Sequence, residues 1–367
     1  TLELVSGPIK YQLSNILRWV ALVSEAPSCL KEVVSKMSGG DLLQNGNTSE
    51  KKLYLETPTI HSGPISKVAG FDVYLKLENL QIPGSFKIRG ISNLCKKALA
   101  KGSQQIVCAS GGNAGLAAAY CAQQMNIMAK IILPQSTPGF VADKLRDLGA
   151  QVEVVGKVFD ESNVYALKLG EDPAVEYVHP FDHPDIWEGH STIMEEVSKQ
   201  MPCRPDVVIV SVGGGGLLNG ILIGMKNVGW SDVPCVAVET IGADCLNKAL
   251  KAGKPVTLPD ITSVAKCLGA LTVCSATLDF ISNFQHFHSC VVEDRQAVDA
   301  CLRFSDDHRM LVEPACGASL AAVYGDTIRT LQNEGKLGPI KSALVIVCGG
   351  ASVTLSALEK WRHDFNL

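Results

Sequence analysis

A chain of 367 residues is long for one domain and predicts two, or one domain with a lobe inserted in it. With 46% hydrophobic and 19% charged residues it has the composition of a folded protein with a generous core. A net charge of −4, with no basic stripe interleaved with aromatics, argues against nucleic acid as a partner, and no apolar run reaches the roughly 18 to 20 residues of a membrane span. The thirteen cysteines are odd in number and scattered, mostly in apolar stretches such as IVCAS and VIVCGG, where reduced cysteine acts as a small hydrophobe. Without a CxxC pair or an HExxH, a zinc site has little support, and a cytoplasmic, reducing location is expected.

Residues 1–52 read as an N-terminal extension. ILRWVALV has the pattern of a short amphipathic helix, while SGGDLLQNGNTSEKK is turn-rich and polar, with the composition of a mobile segment. The charges before Met37 are too balanced for a mitochondrial presequence, no secretory signal is expected, and Met37 is itself a candidate start. From Leu53 the pattern turns regular. IVCAS, KIILP, QVEVV and VEYVH predict short strands, separated by the helical GLAAAYCAQQM, FVADKLRDLG and FDESNVYALKLG. Beyond Pro184 the helical DIWEGHSTIMEEVSKQM leads to the strand DVVIVSV, a glycine loop and the helix LLNGILIGMKNV. CVAVET and ALVIVCGG are nearly continuous apolar runs, the mark of strands buried on both faces. Strands alternating with helices predict an α/β protein with two doubly wound parallel sheets, and a boundary near Phe181–Pro184.

Three strand-end loops carry polar chemistry. Gly213–Gly216 follows a buried strand and opens a helix, where backbone N–H groups and the helix start can cradle an anion. The same run can equally be a tight strand-to-helix turn; it is neither GxGxxG nor a Walker A loop. SGGNAG, Ser110–Gly115, offers a hydroxyl and an amide beside backbone donors, a nest for a carboxylate, or else plain helix capping. Cys348 ends the strand in VIVCGG and is a candidate core residue. Against these stands Lys87 in GSFKIRG, placed between an aromatic and an arginine rather than on a solvated face. Doubly wound folds bind ligands where such loops meet.

Taken together, GSFKIRG, SGGNAG, PFDHPDIWEGH, SVGGGGLL, ITSVAKCLG, LVEPACGASLAAVY and VIVCGG resemble the serine dehydratase family of pyridoxal-phosphate enzymes, in family order from about Thr57 to Ala357. Gly111 is similar to the serine dehydratase-like branch. The resemblance implies the tryptophan synthase β fold, with a large domain of residues 53–90 and 183–367 and a small one of 91–182. It implies pyridoxal 5′-phosphate on Lys87 as a Schiff base, its phosphate on Gly213, Gly214, Gly215, Gly216 and Leu217, its ring hydroxyl at Asn113 and its pyridine nitrogen at Cys348. Ser110, Gly111, Asn113 and Ala114 would hold the amino-acid substrate, Ser110 with a catalytic share, and Phe86 and Phe181 would line the pocket. A potassium site would fall on Glu239, Ala243, Leu268 and Ala270, although Cys245 stands where a serine is expected and thiol is a poor ligand for a hard cation. A homodimer is implied as well.

The expected activity is conversion of L-serine to pyruvate and L-threonine to 2-oxobutyrate, each with ammonia. A partly buried lysine suits this, because burial lowers its pKa and makes it both nucleophile and base. The alternatives are serine racemase-like activity, although that family has histidine where this chain has Ala114, and a weakly active or inactive cofactor-binding relative. Cysteine synthase has a threonine-rich loop here. Biosynthetic threonine deaminase carries a C-terminal regulatory domain that is not expected in this chain.

Overall fold

The computed structural model describes residues 52–367 apart from 136, 138 and 158; the readings made of the N-terminal extension, ILRWVALV and Met37 included, lie outside the described residues. Ten strands form two sheets. The larger has the order β1 (Thr59–His61), β2 (Asp72–Leu77), β10 (Ser342–Val347), β7 (Val207–Ser211), β8 (Cys235–Thr240) and β9 (Phe287–Val292). Only its β1–β2 pair is antiparallel. The smaller sheet is wholly parallel, in the order β5 (Gln151–Val154), β4 (Met128–Leu133), β3 (Gln105–Cys108) and β6 (Val175–Tyr177).

The predicted strands are present within about three residues at each end, and burial explains the legibility of the three central ones of the large sheet. Every residue of β7, β8 and β10 is buried, as continuous apolar runs flanked by helices require. The strands β1, β2 and β9 were not anticipated. β1 and β9 are edges, and five of the six residues of β9 are only partly buried. Two parallel sheets with helical crossovers confirm the α/β doubly wound class.

Seven helices matter for the site: α1 (Lys87–Ala100), α2 (Asn113–Met125), α3 (Pro184–Gln200), α4 (Gly216–Asn227), α5 (Cys245–Ala252), α6 (Asp294–His308) and α7 (Pro314–Tyr324). α3 begins with proline at its first position, behind His183, whose ring nitrogen accepts from Asp185 N–H. In the large sheet Val347 is level with Leu77, and Ser211 with Val238. The carboxyl ends of β2, β10, β7 and β8 therefore open on one edge, where doubly wound folds place their ligands.

Candidate active site

Lys87 is the first residue of α1, half-buried, at the end of a loop stitched to the one that follows β10. Phe86 N–H donates to the Cys348 carbonyl at 3.1 Å, Gly350 N–H donates to the Gly84 carbonyl at 3.1 Å, and Ser85 bridges to Gly349. These backbone bonds bring GSFKIRG and VIVCGG, far apart in sequence, into one corner. The Lys87 ammonium donates to the Pro180 carbonyl at 2.5 Å and lies 5.3 Å from the Phe86 ring centre and 5.9 Å from that of Phe181. Burial lowers its pKa, and the nearby thiols of Cys267, Cys108, Cys274 and Cys348 oppose the shift. A lysine so placed spends more of its time neutral than a surface lysine does.

The residues around Pro180 hold this arrangement. His179 Nδ1 accepts from the backbone N–H groups of Asp182 at 2.7 Å and Phe181 at 3.2 Å, which puts the ring proton on Nε2. Burial pushes the His179 pKa down to about 4, so the ring stays an acceptor at neutral pH. Trp187 Nε1 donates to the Phe181 carbonyl at 2.9 Å.

The glycine run packs against Phe181, the ring that Lys87 also approaches. A β-carbon on Gly214 would sit 2.3 Å from the Phe181 ring, and Gly215 has φ of +93°, which a side chain rarely tolerates. The run ends at α4, whose start has no side-chain cap, so its first N–H groups remain as donors. Thr277, fully buried, places its hydroxyl beside the Cys274 thiol and 2.4 Å from where a Gly215 β-carbon would be. An uncapped helix start, a cradle that β-carbons would fill and a buried hydroxyl beside it form a donor set that fits a phosphate. Leu217, with 7% of its surface exposed, packs into the core beside it. The carbonyl of Gly214 is taken by the Cys274 backbone and thiol, at 3.0 and 2.7 Å.

Ser110 and Asn113 do not cap α2. Its cap residue is Gly112, with no side-chain bond, and the Ser110 hydroxyl only accepts from Gly112 N–H at 3.3 Å. Asn113 Nδ2 instead donates to the Glu313 carboxylate at 3.1 Å and approaches Cys267 Sγ at 3.6 Å, while its Oδ1 is buried without a partner. Ala114 is buried. Gly111 faces the side-chain ends of Leu133, Thr137 and Val141, which would stand 3.1 to 3.2 Å from a β-carbon. Cys348 Sγ lies 3.4 Å from the Ser211 hydroxyl, and its contact with Cys316 together with burial pushes its pKa well above the usual thiol value. It is a neutral thiol.

The residues matched to a potassium site cluster as well. Glu239 is fully buried and accepts from Leu246 N–H at 2.9 Å and Asn247 N–H at 2.7 Å, at the start of α5; burial raises its pKa to about 8. Ala243 bonds back to Thr240, and Ala270 to Leu268. Gly213 lies against the Leu268 backbone, and the Cys245 thiol donates to the Gly213 carbonyl at 3.5 Å.

Thr277, Glu313 and Arg89 escaped the sequence reading. Glu313 stood in LVEPACG, its place before a helix-starting proline the only clue. Arg89 stood in KIRG, and the structure buries it completely. Its Nε and Nη2 grip both Glu78 oxygens at 2.7 and 2.8 Å, and its Nη1 and Nη2 grip both Glu196 oxygens at 2.7 Å. Lys76 donates to the same Glu196 at 2.6 Å and to the Thr57 carbonyl at 2.6 Å. This network pins the start of α1, two residues from Lys87, to α3.

A half-buried lysine of lowered basicity, a phosphate-type glycine loop and a thiol at a third strand end define an α/β enzyme that holds an anionic aldehyde cofactor. The sequence matches the family model "Pyridoxal-phosphate dependent enzyme" over residues 51–349, and the chain belongs to that family, in its serine dehydratase group. A rat protein named serine dehydratase-like is 50% identical over 311 residues, 84% of this chain and 94% of its own. Human L-serine dehydratase/L-threonine deaminase is 46% identical over 87% of this chain and 98% of its own. Among solved structures, a fungal L-serine ammonia-lyase from Rhizomucor miehei superposes with a TM-score of 0.79 at 35% identity, over 86% of this chain and all of that one.

Proposed function

We infer that the protein is a pyridoxal-phosphate dependent ammonia-lyase that converts L-serine to pyruvate and L-threonine to 2-oxobutyrate, releasing ammonia. The observation that carries this is Lys87, of lowered pKa, beside the Phe181 ring against which the glycine cradle packs and in the corner that holds Cys348. Relatives named for these two activities support the substrate class.

In this reading Gly213, Gly214, Gly215, Gly216 and Leu217 with Thr277 hold the phosphate, Asn113 meets the ring hydroxyl, and Cys348 faces the ring nitrogen. When bound, the cofactor supplies an aldehyde for covalent attachment to Lys87 and a conjugated ring that accepts electron density from the substrate's Cα. The Lys87 amine, its pKa lowered by burial, would take the proton from Cα as general base. Ser110, Gly111 and Ala114 bind the substrate carboxylate and fix which bond at Cα lies ready to break. Phe86 and Phe181 keep water from the lysine. The Cys348 thiol, kept neutral by its contact with Cys316 and by burial, would offer the ring nitrogen a weak partner without charge.

The same reading takes the two sheets as cores of a large domain (53–90 and 183–367) and a small one (91–182), with potassium near Glu239, Ala243, Leu268 and Ala270, and a cytoplasmic homodimer. Twelve free cysteines among the described residues support a reducing location. No described helix is long and apolar enough to cross a membrane. The decisive experiment treats the holoenzyme with borohydride, maps the modified peptide, and assays pyruvate, 2-oxobutyrate and D-serine in parallel. Label on Lys87 with keto-acid release is expected; label on another lysine, or D-serine as the main product, would refute the assignment.

A further inference from the structure

Glu313 sits at the start of α7 and is 4% exposed. Its carboxylate ties together two parts of the cleft that arrive from different segments. Oε1 accepts from the Ser352 backbone N–H at 3.0 Å and from the Ser352 hydroxyl at 2.6 Å. Asn113 Nδ2 donates to Oε2 at 3.1 Å and more loosely to Oε1 at 3.3 Å. An ionised carboxylate can only accept, so the Asn113 amide has to meet it with its nitrogen; turned the other way, two oxygens would oppose each other. The amide oxygen is left facing elsewhere, buried and without a partner. In a folded protein such an atom is the exception and calls for a donor.

We propose that Glu313 is a positioning residue: it fixes which face of the Asn113 amide meets the cofactor, spending the nitrogen on itself and leaving Oδ1 as the open acceptor. This rests on the reading of the cleft as the pyridoxal-phosphate site and extends it. It also gives the asparagine loop a fixed relation to the loop after Cys348, since Ser352 holds the other side of the same carboxylate. Loss of the carboxylate is felt at the cofactor through Asn113 and not by direct contact.

Glu313→Gln tests this with a nearly isosteric change. Two Ser352 donors converge on Oε1, so the glutamine oxygen takes that seat and its NH2 takes the seat of Oε2. There it confronts Asn113 Nδ2, donor against donor, and the asparagine amide turns over. Pyridoxal phosphate should bind about tenfold more weakly to the variant, the effect of roughly one hydrogen bond, and the visible absorption band of the bound cofactor should shift. In an Asn113→Ala background the same substitution should cost no further affinity, because the residue it acts through is gone. Glu313→Asp keeps the charge and a residue favoured at a helix start, yet withdraws the carboxylate by one methylene, so it should fold normally and weaken binding in the same direction. Parent-like affinity and spectrum in both single variants, or additive losses in the double variant, would overturn the proposal. Failure of the parent protein to bind pyridoxal phosphate would instead overturn the reading of the cleft on which it rests.

Discussion

Replacing Arg89 with methionine isolates what the buried ion network does for Lys87. The side chain has no exposed surface and makes four bonds of 2.7 to 2.8 Å to the two carboxylates. Methionine fills similar space but leaves Glu78, itself fully buried, with only Thr57 and Gln81 as donors, while Glu196 keeps Lys76. Removing one partner of a buried pair typically costs about 3–5 kcal/mol, mostly as the penalty of the stranded charge. Urea unfolding of parent and variant holoenzyme at neutral pH measures it. The sign of the pH dependence follows from Glu78. Burial pushes its carboxyl up, but the Arg89 guanidinium and the hydrogen bonds to it prevail and hold the folded pKa below the ordinary value. In the parent, this contributes stability that is present above the unfolded pKa and lost as pH falls through the folded one. In the variant the pull of the guanidinium is lost while burial and the smaller help of Thr57 and Lys76 remain, so the folded pKa rises and the group contributes less stability above the unfolded pKa. The gap between parent and variant should therefore shrink on acidification, and adding Glu78→Gln should recover part of it. A loss under about 1 kcal/mol, the range of an exposed pair, or a gap that widens in acid, would refute the reasoning. Turnover should fall as well, by up to about a hundredfold if the start of α1 shifts by an ångström.

Four further outcomes are expected. Gly214→Ala places a β-carbon 2.3 Å from the Phe181 ring, so cofactor affinity should drop at least about tenfold while circular dichroism is unchanged; parent-like binding would show that the cradle is not where the phosphate sits. Ser110→Ala should cut turnover about a hundredfold with the melting temperature held, since Ser110 caps no helix; a stability loss of about 1 kcal/mol with full turnover would mark a structural role. Cys348→Asp should protonate the cofactor ring nitrogen, slow elimination and increase transamination or racemisation; unchanged products at full occupancy would remove the nitrogen partner from the account. Rates in potassium should exceed those in tetramethylammonium if the Glu239 cluster holds the cation, and equal rates would count against it.

The amino-acid sequence by itself determined the elements whose signals are local. DVVIVSV, CVAVET and ALVIVCGG announce central parallel strands because burial on both faces demands unbroken apolar runs, and GGGG announces a strand-to-helix turn because glycine alone combines free dihedrals with room for close approach. Lys87 was legible too, as a cation in a setting where no solvated surface would put one. The edge strands β1 and β9 were not, since a strand half-exposed to solvent needs no distinctive run. What only the tertiary structure decided is partnership. Nothing local distinguishes Arg89 from a surface arginine until Glu78 and Glu196 close on it, and Glu313 reads as an ordinary helix start until Asn113, 200 residues earlier, turns its amide to it. A side chain's composition and spacing report its own backbone, whereas a hydrogen bond between distant segments exists only once the sheets have set their loops along a common edge.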